Sequence, residues 1–162
     1  MSEHTVRVVV NGVALEESVP ARLTLADLLR ERFDVTSVHL GCEHGVCGAC
    51  TVLLDGVPAR ACLQLAVQAD GAEIRTLESV ASVEGELHPV QQAFWEKHGL
   101  QCGFCTPGIV MSTVELLERD PSPSTEAVTE MLSGHVCRCT GYVKIVEAVQ
   151  EATRILQGGE AA

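Results

Sequence analysis

The feature that most constrains the fold of this chain is the placement of its eight cysteines, which fall into two groups of four. The first group, with the spacing C-x4-C-x2-C-x11-C, consists of Cys42, Cys47, Cys50 and Cys62. The second group, with the spacing C-x2-C-x31-C-x-C, consists of Cys102, Cys105, Cys137 and Cys139. Four thiolates form the ligand set of one iron–sulfur cluster or one structural zinc. Because no cysteine is left over, the pattern predicts a protein that holds two metal centres.

The length of 162 residues suits one ordinary domain or two small ones, and each half of the chain carries its own cysteine group. Small domains of this kind have thin hydrophobic cores, which a metal centre commonly stabilises. We therefore predict an α+β protein with domains at 1–77 and 78–162. Residues 77–86 show no sustained hydrophobic period and are predicted to form a linker, although Leu77, Val80 and Val83 could instead belong to the second core.

The first domain has the pattern of a small mixed α/β unit. Val6, Val8 and Val10 alternate with neighbouring positions and predict a strand. Asn11-Gly12 predicts a tight hairpin turn, because both residues tolerate a positive φ. The further predicted elements are a strand at 13–19, a helix capped by Thr24, strands at 51–54 and 57–61, a short helix at 63–67 and a strand at 73–76. This order is that of a β-grasp ferredoxin.

The second domain is predicted to be helical, with helices at 88–98, 106–119, 124–134 and 142–157. In the first of these we expect Val90, Phe94 and Trp95 to point inward. In the second, Thr106 can cap the helix and Pro107 can occupy its first position, where a missing N–H costs nothing. In the last, one face carries Ile145, Val149, Ala152 and Leu156. Short links between these helices predict a small four-helix bundle.

The two cysteine groups differ in their surroundings. Three cysteines of the first group share a loop with Gly41, Gly45 and Gly48, which let backbone N–H groups approach an anionic cluster. Its spacing matches the plant-type ferredoxin pattern of a [2Fe–2S] centre. Each pair of the second group lies just before a predicted helix, and the partial positive charge of a helix N-terminus suits a negatively charged cluster.

Other uses of the cysteines remain open at this point. Structural zinc usually takes C-x2–4-C pairs, and the full C-x4-C-x2-C-x11-C spacing of the first group fits an iron–sulfur cluster better. Disulfides are rare in a chain that we expect to be cytoplasmic. Two further function classes also stay open: a free-standing ferredoxin-like electron shuttle and a zinc-stabilised interaction module.

Composition excludes several partners. The net charge of −11 argues against nucleic acid and anionic membranes. The first residues lack the pattern of a signal peptide, and the longest uncharged run, 99–114, contains three glycines and is a poor membrane span. We therefore expect a cytoplasmic protein with no membrane insertion. No phosphate loop, dinucleotide fingerprint or Ser-His-Asp arrangement occurs, so we assign no catalytic residue.

Three segments, 41–52, 101–108 and 137–142, together resemble one family. It is the small iron–sulfur subunit of the xanthine oxidase family of molybdenum hydroxylases, which includes carbon monoxide dehydrogenase and bacterial xanthine dehydrogenase. The resemblance covers nearly the whole chain, and all eight ligand positions are filled. In the carbon monoxide enzymes the first loop usually reads Cys-Asp-Thr-Ser, whereas here it reads Cys42-Glu43-His44-Gly45.

The resemblance implies a β-grasp domain and a four-helix domain, each with one [2Fe–2S] cluster. It further implies a large partner subunit with molybdopterin cytosine dinucleotide and, commonly, a medium partner subunit with FAD. Electrons would pass from molybdenum through the helical-domain cluster and the β-grasp cluster to the flavin, with water as the source of the oxygen added to substrate. Gln101 matches the family glutamine that contacts the pterin, and Cys139 matches the cluster ligand nearest the pterin amino group.

Overall fold

The N-terminal half forms one five-stranded sheet with the strand order β2-β1-β5-β3-β4. A computed structural model describes residues 3–82 and 84–158. The strands are β1 (Glu3–Val10), β2 (Val13–Pro20), β3 (Thr51–Leu54), β4 (Val57–Arg60) and β5 (Glu73–Arg75). The central β5 is parallel to β1 and antiparallel to β3. The predicted α+β class and the ferredoxin-like N-terminal sheet are thus confirmed.

The sheet follows from local sequence signals. Val6, Val8 and Val10 are buried on one face of β1, as their alternation predicts. Asn11 and Gly12 adopt φ values of 52° and 82°, the left-handed conformation that closes the β1–β2 hairpin. Asp55-Gly56 makes the same turn between β3 and β4, so both hairpins of the sheet have two-residue loops.

One face of the sheet is covered by a helical segment that consists of α1 (Leu25–Asp27) and a π-helical turn (Leu28–Arg32). Its start is capped as predicted, since Thr24 Oγ1 accepts a 3.1 Å hydrogen bond from the Asp27 N–H. The short helix predicted at 63–67 is misplaced. Leu65 is extended and bridges to Thr24, so the helical turn forms later, as a 3₁₀ helix at Ala66–Ala69.

The C-terminal half is built from α2 (Pro89–Glu96), α3 (Thr106–Arg119), α4 (Thr125–Ser133) and α5 (Val143–Leu156). The predicted four helices are confirmed. The cap of α3 differs from the prediction, because Cys105 is the N-cap and Thr106 is already helical. α3 runs through the centre of this half and also packs on β3, whose Leu53 is fully buried in the helical core. The core of the helical half therefore includes a residue of the sheet.

Two predicted core residues are exposed. Trp95 is 72% exposed, whereas its neighbour Phe94 is only 1% exposed. The buried stripe of α2 contains Val90, Ala93 and Phe94, and one further residue turns Trp95 about 100° away from it. Leu156 is 48% exposed because it lies at the end of α5, where Ile155 packs against the core instead.

The segment predicted as a linker packs in part against the helical core. A 3₁₀ helix covers Leu77–Ser79, and both Leu77 and Val80 contact the core of the C-terminal half. The Glu78 carboxylate meanwhile accepts hydrogen bonds from the Ser37 N–H and hydroxyl at 3.0 and 2.5 Å. This segment thus contacts both halves, the helical core through Leu77 and Val80 and the N-terminal half through Glu78. Val83, the third apolar residue considered for this core, lies outside the described residues. Among the described helices, none has the length and apolarity needed to cross a membrane.

Candidate metal centres

The first cysteine set lies at one end of the β3–β4 hairpin. Cys50 immediately precedes β3 and Cys62 follows β4 by two residues. The hairpin register brings them together, because Ala61 N–H donates a 3.2 Å hydrogen bond to Cys50 O. Both side chains are buried. Cys42 and Cys47, from the loop before β3, form the more exposed edge of this set, and all four are free thiols.

The loop of the first set is wound around the Cys42 sulfur. The backbone N–H of Cys47 lies 3.3 Å from Cys42 Sγ. This hydrogen bond, with a second one from His44, lowers the pKa of Cys42 to about 6, which favours the thiolate form that binds metals. Burial has the opposite effect on Cys50 and raises its pKa to about 11. The set therefore has one more exposed edge, where backbone N–H groups donate hydrogen bonds to the Cys42 sulfur, and one buried edge.

The three glycines of this loop meet two different requirements. Gly45 and Gly48 have φ values of 84° and 79°, a region that favours glycine. Gly41 has no positive φ, but a Cβ there would lie 3.2 Å from Cys47 Sγ. Any side chain at Gly41 would therefore crowd a thiol of the set.

The second cysteine set lies between the starts of two helices. Cys102 and Cys105 directly precede α3, and Cys137 and Cys139 lie just before α5. The Sγ atoms of Cys102 and Cys139 are 3.5 Å apart, and both residues are exposed. Cys105 is buried and interacts with Cys137, and its burial raises the pKa of Cys105 to about 12. This set also has an open edge and a buried edge.

The buried edge of the second set is held by a polar loop. Thr140 Oγ1 lies 3.1 Å from Cys137 Sγ. The Tyr142 hydroxyl accepts a 2.8 Å hydrogen bond from Cys137 N–H and donates one of 3.0 Å to His135 O. Tyr142 itself has a φ of 69°, which ends the loop and starts α5. These contacts fix the backbone that carries Cys137.

The structure thus assembles both predicted cysteine sets. Gln101, the remaining predicted site residue, is exposed and directly precedes Cys102, whose sulfur lies 3.5 Å from that of Cys139. Within the described residues, no three His, Cys, Asp or Glu side chains converge on one point suited to a single metal ion. A two-iron core makes a different demand, since its four thiolates are shared between two irons. In the second set, the sulfurs of Cys102 and Cys139 lie close enough together to bind one of the two irons as a pair.

Comparison with known proteins identifies the family. A family model described as a 2Fe-2S iron-sulfur cluster binding domain matches residues 20–94, and one described as a [2Fe-2S] binding domain matches residues 76–150. The chain is 57% identical over 143 residues to the nicotine 6-hydroxylase small subunit of Paenarthrobacter nicotinovorans, covering 88% of this chain and 86% of that protein. It is 52% identical over 156 residues to the caffeine dehydrogenase subunit gamma of Pseudomonas sp. (strain CBB1), covering 94% and 93%. The chain is a small iron–sulfur subunit of the molybdenum hydroxylase family.

A solved structure agrees with this assignment. The small subunit superimposes on a chain of quinoline 2-oxidoreductase from Pseudomonas putida 86 with a TM-score of 0.91 and 42% identity, covering 98% of each chain. The molybdenum hydroxylase small subunit therefore contains two [2Fe–2S]-binding domains and transfers electrons as part of a multisubunit oxidoreductase.

Sequence reasoning missed the residues that join the two cysteine loops of the small subunit. The Val136 N–H donates a 2.9 Å hydrogen bond to Cys47 O. On the other side, His39 Nδ1 lies 2.7 Å from Phe104 O, and the two rings stack with centroids 4.9 Å apart. These residues have no ligand spacing. The one available signal was their position, since each lies within three residues of a cysteine of the two sets.

Arg60 and His135 form a second group that the sequence did not reveal. Arg60 donates a 2.6 Å hydrogen bond to Gly134 O, across the boundary between the two halves. His135 is only 3% exposed, and its Nε2 lies 2.9 Å from Ser112 Oγ. Burial, and then the nearby Arg60 charge, lower the pKa of His135 to about 4, so the ring is neutral at neutral pH.

Proposed function

We propose that this subunit relays single electrons from a molybdopterin cytosine dinucleotide site in a large subunit to FAD in a medium subunit. The electrons pass first through a cluster on the set Cys102, Cys105, Cys137 and Cys139, then through one on the set Cys42, Cys47, Cys50 and Cys62. The partner complex oxidises its substrate with oxygen taken from water.

The observation that carries this proposal is the arrangement of the two cysteine sets. Each set has one edge open to solvent and one edge turned into the protein, and the loops of the two sets are in direct contact through Val136 and Cys47. A relay needs such an arrangement, because an electron must enter at one surface and leave at another.

The residues present fit the [2Fe–2S] groups. Each set provides four free thiols, and the backbone N–H groups around Cys42 favour a thiolate there. When bound, a [2Fe–2S] cluster accepts and releases one electron, so two of them can divide the electron pair that molybdenum receives. The protein holds the clusters, shields their inner edges and sets the path between them.

We place the molybdenum subunit on the open edge of the second set. Gln101 and the two exposed cysteines Cys102 and Cys139 form this edge. The glutamine amide both donates and accepts hydrogen bonds, which suits the polar edge of a pterin. A thiolate at Cys139 can accept a hydrogen bond from an amino group of that pterin. The medium FAD subunit then covers the more exposed edge of the first set, at Cys42 and Cys47.

The remaining assignments are part of the same proposal. We keep the domain boundary at 1–77 and 78–162, although Leu77 packs against the helical core. We assign a cytoplasmic location, because the thiols of such centres stay reduced there. We also propose that the complex oxidises a nitrogen heterocycle, since the relatives that share 52% and 57% of its residues are named for caffeine and nicotine.

The test is affinity purification of the tagged chain from its native source, followed by metal, sulfide and flavin analysis. We expect about four irons and four sulfides in each small subunit, with a large molybdenum subunit and a flavin subunit bound. Nitrogen heterocycles added to this complex should reduce the clusters. A monomer with both clusters and no partner would support the shuttle instead, and a colourless protein with stoichiometric zinc would support the interaction module.

A further inference from the structure

Three consecutive residues of the helical half, Gly134, His135 and Val136, all contact the β-grasp half near the first cysteine loop. Gly134 O accepts a hydrogen bond from Arg60, and Val136 N–H donates one to Cys47 O. His135 lies between them and is packed against Gly48. The next residue but one after His135 is Cys137. The tripeptide therefore connects one cysteine loop to the other.

Arg60 is the centre of a hydrogen-bond chain that ends on both loops. Its guanidinium donates to Thr51 Oγ1 and, at 2.6 Å, to Gly134 O. Thr51 Oγ1 in turn donates a 2.6 Å hydrogen bond to Gly48 O in the first cysteine loop. The planar guanidinium with its several fixed donors can hold both acceptors at once, which an ammonium group cannot reproduce in the same geometry.

His135 fills the remaining space between the loops. Its Nε2 is held by Ser112 Oγ of α3 at 2.9 Å. Its Nδ1 faces Gly48 so closely that a Cβ at Gly48 would lie 2.5 Å from it. A Cβ at Gly108, in the first turn of α3, would lie 2.2 Å from Gly48 O. The backbone of the first cysteine loop at Gly48 and the backbone of α3 at Gly108 therefore lie too close together for a side chain at Gly108.

This contact lies on a short connection between the two sets, made of covalent bonds and one hydrogen bond. From Cys137 the path leads through one peptide unit to the Val136 N–H, then across 2.9 Å to Cys47 O. The rate of electron tunnelling falls exponentially with the distance between the two centres. A hydrogen bond on the path couples the centres more strongly than a gap through space does. A small displacement of either loop would therefore change the transfer rate between the clusters.

We propose that Arg60 and His135 are positioning residues that hold Cys47 against Val136 and thereby fix the coupling between the two clusters. This inference rests on the proposed function, because it assumes that both cysteine sets bind clusters. Neither residue needs to touch a cluster. Their effect is exerted through the Val136–Cys47 hydrogen bond.

The test compares Arg60→Gln with the matched control Arg75→Gln. Both variants remove an arginine that links the halves, but Arg75 pairs with the exposed Glu118, on α3 and away from the cysteine loops. The clusters of the purified holoprotein are fully reduced, and their magnetic interaction is measured as the splitting of the paramagnetic resonance signals at low temperature. Hydrogen exchange of the peptide that contains Val136 is measured on the same samples.

We expect Arg60→Gln to retain its iron and sulfide but to lose most of the splitting and to exchange the Val136 amide at least tenfold faster. Arg60→Lys should recover only part of both signals, and Arg75→Gln should match the wild type. Ser112→Ala is a milder variant, which releases His135 without removing a charge, and it should change the same two readouts in the same direction.

Full clusters with unchanged splitting and unchanged exchange in Arg60→Gln would overturn the inference. If that variant does not fold, the same unchanged readouts in Ser112→Ala would overturn it. A wild-type protein without two clusters would instead refute the proposed function, so the two failures are distinguishable.

Discussion

The sulfurs of Cys102 and Cys139 lie 3.5 Å apart, although 37 positions separate the two residues along the chain. The contact is made by the starts of α3 and α5, which bring two loops to one point. Both cysteines are exposed, whereas Cys105 and Cys137 are more buried behind them. The open edge of the second set is therefore its most accessible part, and it is the edge proposed to face the molybdenum subunit.

This exposure predicts how the isolated subunit loses iron. An external chelator should remove the helical-half cluster first, because Cys102 and Cys139 at its open edge are exposed, whereas Cys42 and Cys47 at the open edge of the first set are only partly exposed. Paramagnetic resonance of samples taken during chelation should show the two signals decaying at different rates. In the intact complex this difference should disappear if a partner covers the edge. Equal loss rates in the isolated subunit would contradict the proposed arrangement.

Each cluster should depend on its own half of the chain. Cys47→Ser should eliminate the signal of the first cluster and leave the second, because the second set obtains no thiol from the N-terminal half. Cys105→Ser provides the reciprocal control. Resonance spectra of the reduced variants, with iron determination, check the result. Loss of both signals from a folded Cys47→Ser protein would show that the two centres assemble together.

Gln101→Ala should affect electron entry and leave both clusters intact. The side chain is exposed at the open edge of the second set and contributes no thiol. In the purified complex, substrate should reduce the clusters more slowly, or the molybdenum content should fall. Stopped-flow absorbance and metal analysis measure these effects. Unchanged values for both would place the molybdenum cofactor elsewhere.

Gly48→Ala should destabilise the protein far more than an equally left-handed glycine in a free turn. Gly48 has a φ of 79°, and a new Cβ would lie 2.6 Å from Gly134 O. We expect a loss of about 2–3 kcal/mol in the free energy of unfolding. Gly56→Ala is the control, with a φ of 80° and no neighbour within 4 Å, and it should cost about 1 kcal/mol. Denaturant titrations of both variants give the comparison.

Phe94→Ala and Trp95→Ala should differ sharply in spite of their adjacent positions. Phe94 is 1% exposed, and its removal should cost about 3–5 kcal/mol by leaving a cavity. Trp95 is 72% exposed, so its removal should change the unfolding free energy by less than about 0.5 kcal/mol. Thermal unfolding of the purified subunit measures both. Comparable destabilisation would mean that Trp95 packs inward after all.

Local signals in the sequence were sufficient for the hairpin turns and for the Thr24 cap, but not for the start of α3 or of the 3₁₀ helix at Ala66–Ala69. Asn11-Gly12 determines its hairpin by itself, because a positive φ is a property of those two residues. The predicted inward orientation of Trp95 was wrong. Hydrophobicity alone does not show how wide the buried stripe of a helix is, and Trp95 lies just outside the stripe of α2. Arg60 and His135 were missed since their partners are 74 and 23 residues away, and no periodicity predicts such pairs.

Leu53 lies on a strand of the ferredoxin-like sheet but is buried among the helices. A ferredoxin module cut free at residue 77 would expose this leucine to water and would lose the α3 surface that covers it. The same holds for a fusion that replaces the helical half with one from a distant relative, unless residues facing Leu53 are replaced with it. Exchange of either half therefore requires matching changes in the residues that meet at Leu53.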